Sequence, residues 1–260
     1  MSLSAIHTDV ALVTGAADRI GAAIAKALAA AGWKVVVHYR TSGDKAAATV
    51  AEIIANGGVA GVVNADLASR TDRKDLIARA AKLFGPLTLL VNNASTFERD
   101  AATDLDEQVW DRHFALHVEA PAFLAEDFAA QLPETVSGNI INMLDERVLD
   151  LSPAYFSYTL SKSALWTMTR TLAQSLAPRI RVNAIGPGLS VAPTGVDPDR
   201  FRQRQAELPL GHAANAEEIA QAVLAILAMP TLTGQMLALD GGEHLEWPDH
   251  RGPTPRRHGR

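Results

Sequence analysis

The chain has 260 residues, 48% hydrophobic and 20% charged, a balance that supports one packed core and excludes disorder as its general state. It has no cysteine, which removes disulfides, thiolate metal sites and cysteine nucleophiles together. A formal charge of −5 gives no electrostatic reason to expect nucleic acid as a partner.

No apolar run reaches the roughly 18 residues of a membrane-spanning helix. Met1 to Asp9 lacks the basic, apolar and cleavage-site order of an export signal, so a cytoplasmic protein with no membrane partner is expected. None of the histidines is grouped with carboxylates at a ligand spacing, and no metal is expected. The one basic cluster, Arg251 to Arg260, alternates Gly, Pro, Arg and His without apolar anchors. Residues 1–246 are therefore expected to form a single domain and 247–260 a flexible basic tail.

In chain order, the apolar run Val10 to Thr14 predicts a strand, followed by a turn between Gly15 and Gly21 and a helix from Ile20 to Ala31. Val35 to Val37 returns as a strand, completing a βαβ unit whose parallel strands need continuous apolar sequence. A helix over Ala46–Ala55 and a strand over Val59–Val63 come next. They are followed by a helix over Asp72–Phe84 and a strand over Leu87–Val91. Leu105 to Leu132 reads as a long helical region with a kink or break at Pro121. Asn139–Asn142 is a strand, Tyr158–Leu176 a helix and Arg181–Ala184 a strand. Gly186 to Gly211 has few periodic signals and is a candidate substrate lid. Ala216–Ala228 is a helix and Met236–Leu239 a last short strand. Seven strands alternating with helices predict an α/β fold, a three-layer, doubly wound parallel sheet.

Such sheets bind ligands at the carboxyl ends of their strands, so the residues there carry the functional reading. Gly15 and Gly21 permit close backbone approach to a pyrophosphate at a helix N-terminus; simple packing explains them equally well. The second strand ends in His38, Tyr39 and Arg40, with no carboxylate until Asp44. Arg40 suits a ribose 2′-phosphate where an acid would suit the unphosphorylated diol. Arg19 could meet phosphate or substrate; the plainer reading leaves both arginines in water. Asp66 follows the third strand at the place for an adenine, and Asn92, Asn93 and Ala94 leave the fourth. Either asparagine could instead cap a helix.

Tyr158 and Lys162 stand four apart, on one helical face. A lysine cation beside a phenol favours the phenolate, making a usable acid–base group from a residue whose ordinary pKa is about 10. Asp145 follows the fifth strand on the same sheet edge, and serves there as a catalytic group or as a turn cap.

TGxxxxxG at 14–21, NNAS at 92–95, Tyr158-x-x-x-Lys162 and PG at 187–188 resemble the short-chain dehydrogenase/reductase family over roughly residues 8 to 242. The resemblance implies a Rossmann-type fold, commonly a homotetramer, and an NADP(H) site. Its cofactor contacts would be Gly15, Arg19, Ile20, Gly21, His38, Tyr39, Arg40, Asp66, Leu67, Asn93, Ala94, Ser95, Tyr158, Lys162, Pro187, Gly188 and Ser190. By the same resemblance Tyr158 exchanges the proton, Lys162 lowers its pKa and holds the nicotinamide ribose, and the last strand with the regions 104–132 and 154–177 forms subunit interfaces.

Three departures narrow the subgroup. Arg19 replaces the middle glycine, Asp145 stands where a carbonyl-polarising serine is usual, and His117 matches the usual relay asparagine. The first two, with HYR at 38–40, NNASTF at 92–97 and GPGLSV at 186–191, resemble pteridine reductases and bacterial dihydrofolate/dihydromonapterin reductases. The implied substrate is a pterin or folate, bound by Arg19, Phe97, Asp145 and Tyr155, with Tyr158, Lys162 and Asp145 catalytic. His117 does not fit this subgroup, and a helix histidine packed in the protein is its plainer reading. Two alternatives remain: a reductase of ketones, alcohols or acyl substrates, and a cofactor-binding protein with vestigial chemistry.

Overall fold

The computed structural model describes residues 9–192 and 196–245. The expected tail at 247–260 lies outside them. Seven strands form one sheet: β1 (Val10–Val13), β2 (Lys34–Tyr39), β3 (Val59–Asn64), β4 (Leu89–Asn92), β5 (Gly138–Met143), β6 (Ile180–Pro187) and β7 (Met236–Leu239). All pairings are parallel, in the order β3-β2-β1-β4-β5-β6-β7. The order reverses between β1 and β4, which opens a crevice at their carboxyl ends.

Strand side chains alternate between two cores, as a period of 2 requires. Ala11, Val13, Val35, Val37, Val91 and Ile141 face α1 (Arg19–Ala30), α2 (Gly43–Ala55) and α9 (Ala216–Leu227), through Ile24, Leu28, Ile53, Ile219 and Val223. Val10, Leu12, Val36, Leu90 and Ile140 face the other layer, where α4 (Leu76–Phe84), α6 (Ala120–Gln131) and α7 (Phe156–Leu176) contribute Leu76, Ile77, Leu124, Phe128 and Ala173. The three-layer, doubly wound architecture expected from the alternation is the one observed.

Three segments differ from the expectation. The helix expected over 72–84 is two: α3 (Arg70–Arg73), capped by Ser69 accepting from the Asp72 amide, and α4. Arg79 donates to the Asp72 carbonyl at 2.9 Å, meeting an acceptor that a continuous helix would have used itself. The long region is α5 (Glu107–Phe114), a π-helical turn (Ala115–Glu119) and α6. The break precedes Pro121, which sits in the first turn of α6 where a missing N–H is tolerated. Inside the expected lid, β6 runs on to Pro187, and α8 (Pro198–Ala206) starts at an Asp197 cap that accepts from the Asp199 amide, with Pro198 in its first turn. That cap-and-proline pair is a start signal legible in the sequence.

Candidate active site

A cleft of about 880 Å³ runs along the carboxyl ends of the strands. It is lined by every residue named above for the cofactor, the substrate and the chemistry. His117 and Asn92 are absent from its wall.

The nucleotide half is built on Gly15 and Gly21. Gly15 has φ +62°, and a Cβ there would stand 2.9 Å from Ala94 Cα. A Cβ on Gly21 would stand 2.6 Å from Asn93 Nδ2 and closer still to the Gly15 carbonyl. Both glycines are thus required by packing of the turn against the end of β4, and the cleft lies beside that packed turn. Asn93 Nδ2 donates to the carbonyls of Thr14 and Gly15 at 2.9 and 3.1 Å. Asn92 turns inward, donating to Asn142 Oδ1 at 2.8 Å, and is structural. His38 is also a scaffold: Nδ1 accepts the Gly15 N–H at 3.1 Å while Nε2 lies 3.1 Å from the Ala65 carbonyl. Burial lowers its pKa to about 4, so the ring is neutral. Arg40 lies at the β2 end of the cleft with Thr41 and Ser42. Ser42 is the N-cap of α2 but its side chain makes no cap bond, so the hydroxyl and the helix N-terminus are unspent toward an anion. Thr41 and Ser42 were not singled out in the sequence; a serine before an alanine-rich helix was the available signal. Asp66 Oδ1 accepts the Ala68 amide at 3.0 Å, and Leu67 is buried beneath that turn.

The chemical half centres on Tyr158, whose hydroxyl donates to Asp145 Oδ2 at 2.7 Å. Arg147 Nη1 holds the other Asp145 oxygen at 3.0 Å. The phenol is pushed well above its usual value by burial and by the Asp145 charge, so Tyr158 is held as a proton donor. This reverses the effect expected from Lys162. The Lys162 ammonium donates to the Met143 carbonyl at 2.8 Å and lies 5.6 Å from the centre of the Tyr158 ring, too far to outweigh burial and the adjoining carboxylate. Burial in turn lowers Lys162 to about 8.

Phe97 stacks on Tyr155 (centroids 4.2 Å, 17°) and meets the edge of Tyr158 at 4.8 Å. The aromatic platform is therefore a pair, with the Arg147 guanidinium 5.4 Å from the Phe97 ring. Arg19 and Tyr155 are the two non-glycine residues with positive φ among those described, +55° and +59°. Left-handed backbone costs an ordinary residue of the order of 1–3 kcal/mol, and such strain concentrates at functional sites. Arg19 reaches across the mouth of the cleft, donating to the carbonyls of Val191 and Ala192 at 3.2 and 2.9 Å; it latches the expected lid to the glycine turn. Gly188 packs under Asp240 and Glu243, where any Cβ would collide at 2.7 Å. Beside it the Ser190 hydroxyl is buried without a partner among the described residues.

A parallel sheet of this order, a glycine turn at its reversal point and a Tyr-x-x-x-Lys pair facing both define a nucleotide-dependent oxidoreductase architecture. The chain belongs to the short-chain dehydrogenase/reductase family. Residues 15–244 match the family model described as enoyl-(acyl carrier protein) reductase. Among solved structures, the chain is similar to FolM alternative dihydrofolate reductase 1 from Brucella canis complexed with NADP: 46% identity, 96% of this chain and 97% of that one, TM-score 0.89. The FolM protein of Brucella suis, also in complex with NADP, is 48% identical over 93% of this chain and 98% of its own, with TM-score 0.90. A 3-oxoacyl-[acyl-carrier-protein] reductase of Synechocystis sp. is 33% identical over 92% of this chain and 98% of its length.

Lys162 gives the site a pH signature. With a pKa of about 8 it is charged below that pH and neutral above, while Tyr158 keeps its proton throughout the range. Turnover should hold on the acid side of about pH 8 and fall above it. A Lys162→Met variant should lose that alkaline limb, read as kcat/KM against pH at saturating cofactor.

Proposed function

We propose that this protein is an NADPH-dependent reductase of dihydropterins or dihydrofolate. The observation that carries the reading is the Tyr158–Asp145–Arg147 chain of hydrogen bonds facing the Phe97–Tyr155 pair. The residues present fit a phosphorylated dinucleotide. The glycine turn provides a cradle whose closest point admits no Cβ, and the end of β2 presents Arg40, Thr41 and Ser42 without an acid. When bound, NADPH supplies a hydride.

Reduction of a ring C=N bond leaves a nitrogen that needs a proton, and Tyr158 holds one at its hydroxyl. Asp145 has acceptor capacity for the N–H groups of an aminopyrimidine, where a serine hydroxyl suits an uncharged ketone. Arg147 pairs with Asp145 at 3.0 Å and orients it. Once the phenol proton has left, Arg147 and Lys162 are the cations that face the phenolate. Phe97 and Tyr155 supply a flat apolar wall for a flat polar ring.

A ketone or acyl substrate is the second reading, favoured by the match to acyl-carrier-protein reductases. We also read the chain as a homo-oligomer, a tetramer by family resemblance. Leu105, just before α5, Phe123 of α6 and Leu160 of α7 are exposed large apolar residues.

Arg40→Ala should raise KM for NADPH far more than for NADH; equal losses would remove the arginine from 2′-phosphate recognition. Steady-state reduction of 7,8-dihydrofolate, a dihydropterin and a small ketone decides the substrate. Tyr158→Phe should lower turnover by about 10²–10⁴-fold with NADPH binding retained. Asp145→Asn should lower kcat/KM for the pterin and spare NADPH affinity, whereas fast ketone turnover with none on pterins would reject the proposal. Gel filtration should give an assembly larger than a monomer, and an active monomer would contradict the oligomer.

A further inference from the structure

His113 and His117 lie outside the cleft wall, fully buried, yet both are tied to it in the same way. His113 Nδ1 is 2.7 Å from Ser157 Oγ, and His117 Nδ1 is 2.8 Å from Ser161 Oγ, so each ring reaches one serine of α7. On the opposite side, His113 Nε2 accepts the Glu98 amide and His117 Nε2 accepts the Thr96 amide, both at 3.3 Å. The Ser95 hydroxyl lies 2.9 Å from the same His117 nitrogen. An imidazole nitrogen that accepts an N–H carries no proton, so the proton of each neutral ring is at Nδ1, directed at the serine. The Ser161 hydroxyl passes its own proton to the Tyr158 carbonyl at 2.7 Å.

The two amides flank Phe97, and the spacing of the histidines is four, as is that of the serines. The rings stack at 5.6 Å and 19°. Each also stands edge-on to Tyr158, at 5.7 Å for His113 and 5.4 Å for His117. Both nitrogens of His117 are thereby spent on the loop and α7, and none bonds Lys162, so the relay place of the family's asparagine is not how this ring is used.

We propose that His113 and His117 are substrate-positioning residues, a two-rung latch that fastens the Ser95–Glu98 loop to α7 and sets the Phe97 face against the Tyr158 hydroxyl. Each rung is one loop amide, one imidazole and one serine. Losing a rung frees one side of Phe97 while leaving the glycine turn and Arg40 untouched. The His113 rung therefore governs the substrate ring and not the nucleotide, whereas the His117 rung also holds Ser95, the loop's expected cofactor contact. It rests on the reductase reading of the cleft.

The side-chain amides of Asn and Gln separate the two ends of each rung. Asn places its amide near the position of Nδ1 and keeps the serine bond, whereas Gln reaches the position of Nε2 and keeps the acceptor for the loop amide. His113→Asn and His117→Asn should each raise KM for the dihydropterin about tenfold, the scale of one lost buried hydrogen bond, with Kd for NADPH unchanged in His113→Asn. The amides of Thr96 and Glu98 should exchange with deuterium faster in the corresponding Asn variants. His113→Gln and His117→Gln lose the serine bond instead, so they should raise the same KM while leaving exchange of the Thr96 and Glu98 amides near wild type. Should the Asn variants not fold, Ser161→Ala and Ser157→Ala remove the helix end of each rung and should raise the same KM. Folded Asn variants with unchanged exchange, or faster exchange with unchanged substrate KM, would overturn the latch. Equal effects of Asn and Gln on amide exchange would do so too, since simple helix packing predicts them. If the wild type reduces a ketone and no pterin, the substrate reading falls alone: amide exchange needs no substrate, and the KM comparison is then made with the ketone.

Discussion

The hydroxyl of Thr14 joins the two strands that part company at the site. It is buried at the end of β1, donates toward the Val91 carbonyl at 3.2 Å, and accepts the amides of Asn93 and Ala94 at 2.9 and 3.0 Å. Both amides have just left β4; Asn93's also donates to the Val91 carbonyl at 3.1 Å, and Ala94's turns to the Thr14 hydroxyl where the strand order reverses. With the crevice tied in this way, Asn93 can hold the glycine turn by its carbonyls, and His38 can hold the same turn from the β2 side through the Gly15 amide. The turn is thus fixed by neutral groups of the protein itself. Its shape does not depend on a bound anion, and Arg40, Thr41 and Ser42 are left at the rim for charge recognition.

The reacting side is organised by α7, which carries four functional contacts on successive turns. Ser157 and Ser161 face the histidines, and Tyr158 and Lys162 face the cleft and the end of β5. The π-helical turn between α5 and α6 lies where His117 meets the loop, and such turns recur at functional sites. Pro121 has no N–H to offer the carbonyl four residues earlier, which makes a regular α-helical path through this point unavailable.

Much of this was legible because strand ends in a parallel sheet must share an edge. Once the apolar runs ending at Thr14, Val37, Val91 and Asn142 are read as strands, Gly15, Arg40, Asn93 and Asp145 have to converge, with Tyr158 and Lys162 on the helix that follows. The illegible part depends on side-chain direction across distant segments. Nothing in Arg19 predicts that its guanidinium crosses to the Val191 and Ala192 carbonyls, 172 and 173 residues away. The Tyr158–Lys162 spacing is correctly helical but says nothing of burial, and burial decided the direction of the phenol's pKa. His117 resembled a substituted relay residue because its partners, Ser161 and the Thr96 amide, are separated from it in sequence by 44 and 21 residues.

A carboxylate at Asp145 creates an electrostatic problem that its neighbours answer. An unpaired buried charge is costly, so a site with aspartate where serine is usual needs a cation nearby and cannot tolerate further negative charge. Arg147 supplies the cation from the same short turn, at 3.0 Å from Asp145 and 3.5 Å from Glu146. It cannot neutralise everything around it. Burial and the Asp145 charge raise Glu146 to about 9, and burial raises Glu243 to about 7, so Glu146 keeps its proton at neutral pH while Glu243 is poised. Each has one oxygen near a guanidinium, Glu146 with Arg147 at 3.5 Å and Glu243 with Arg204 at 3.8 Å, and a second that is buried without a partner among the described residues. The charge balance at the floor of the cleft is then one carboxylate, Asp145, matched by one guanidinium, with Lys162 as the second cation beside the phenol. A site arranged in this way can accept N–H donors at Asp145 without losing Tyr158's proton to it, because the phenol beside a carboxylate is less acidic still. Proton delivery from Tyr158 therefore waits on a substrate atom basic enough to take a proton from a phenol, which a ring nitrogen becomes only as the hydride arrives.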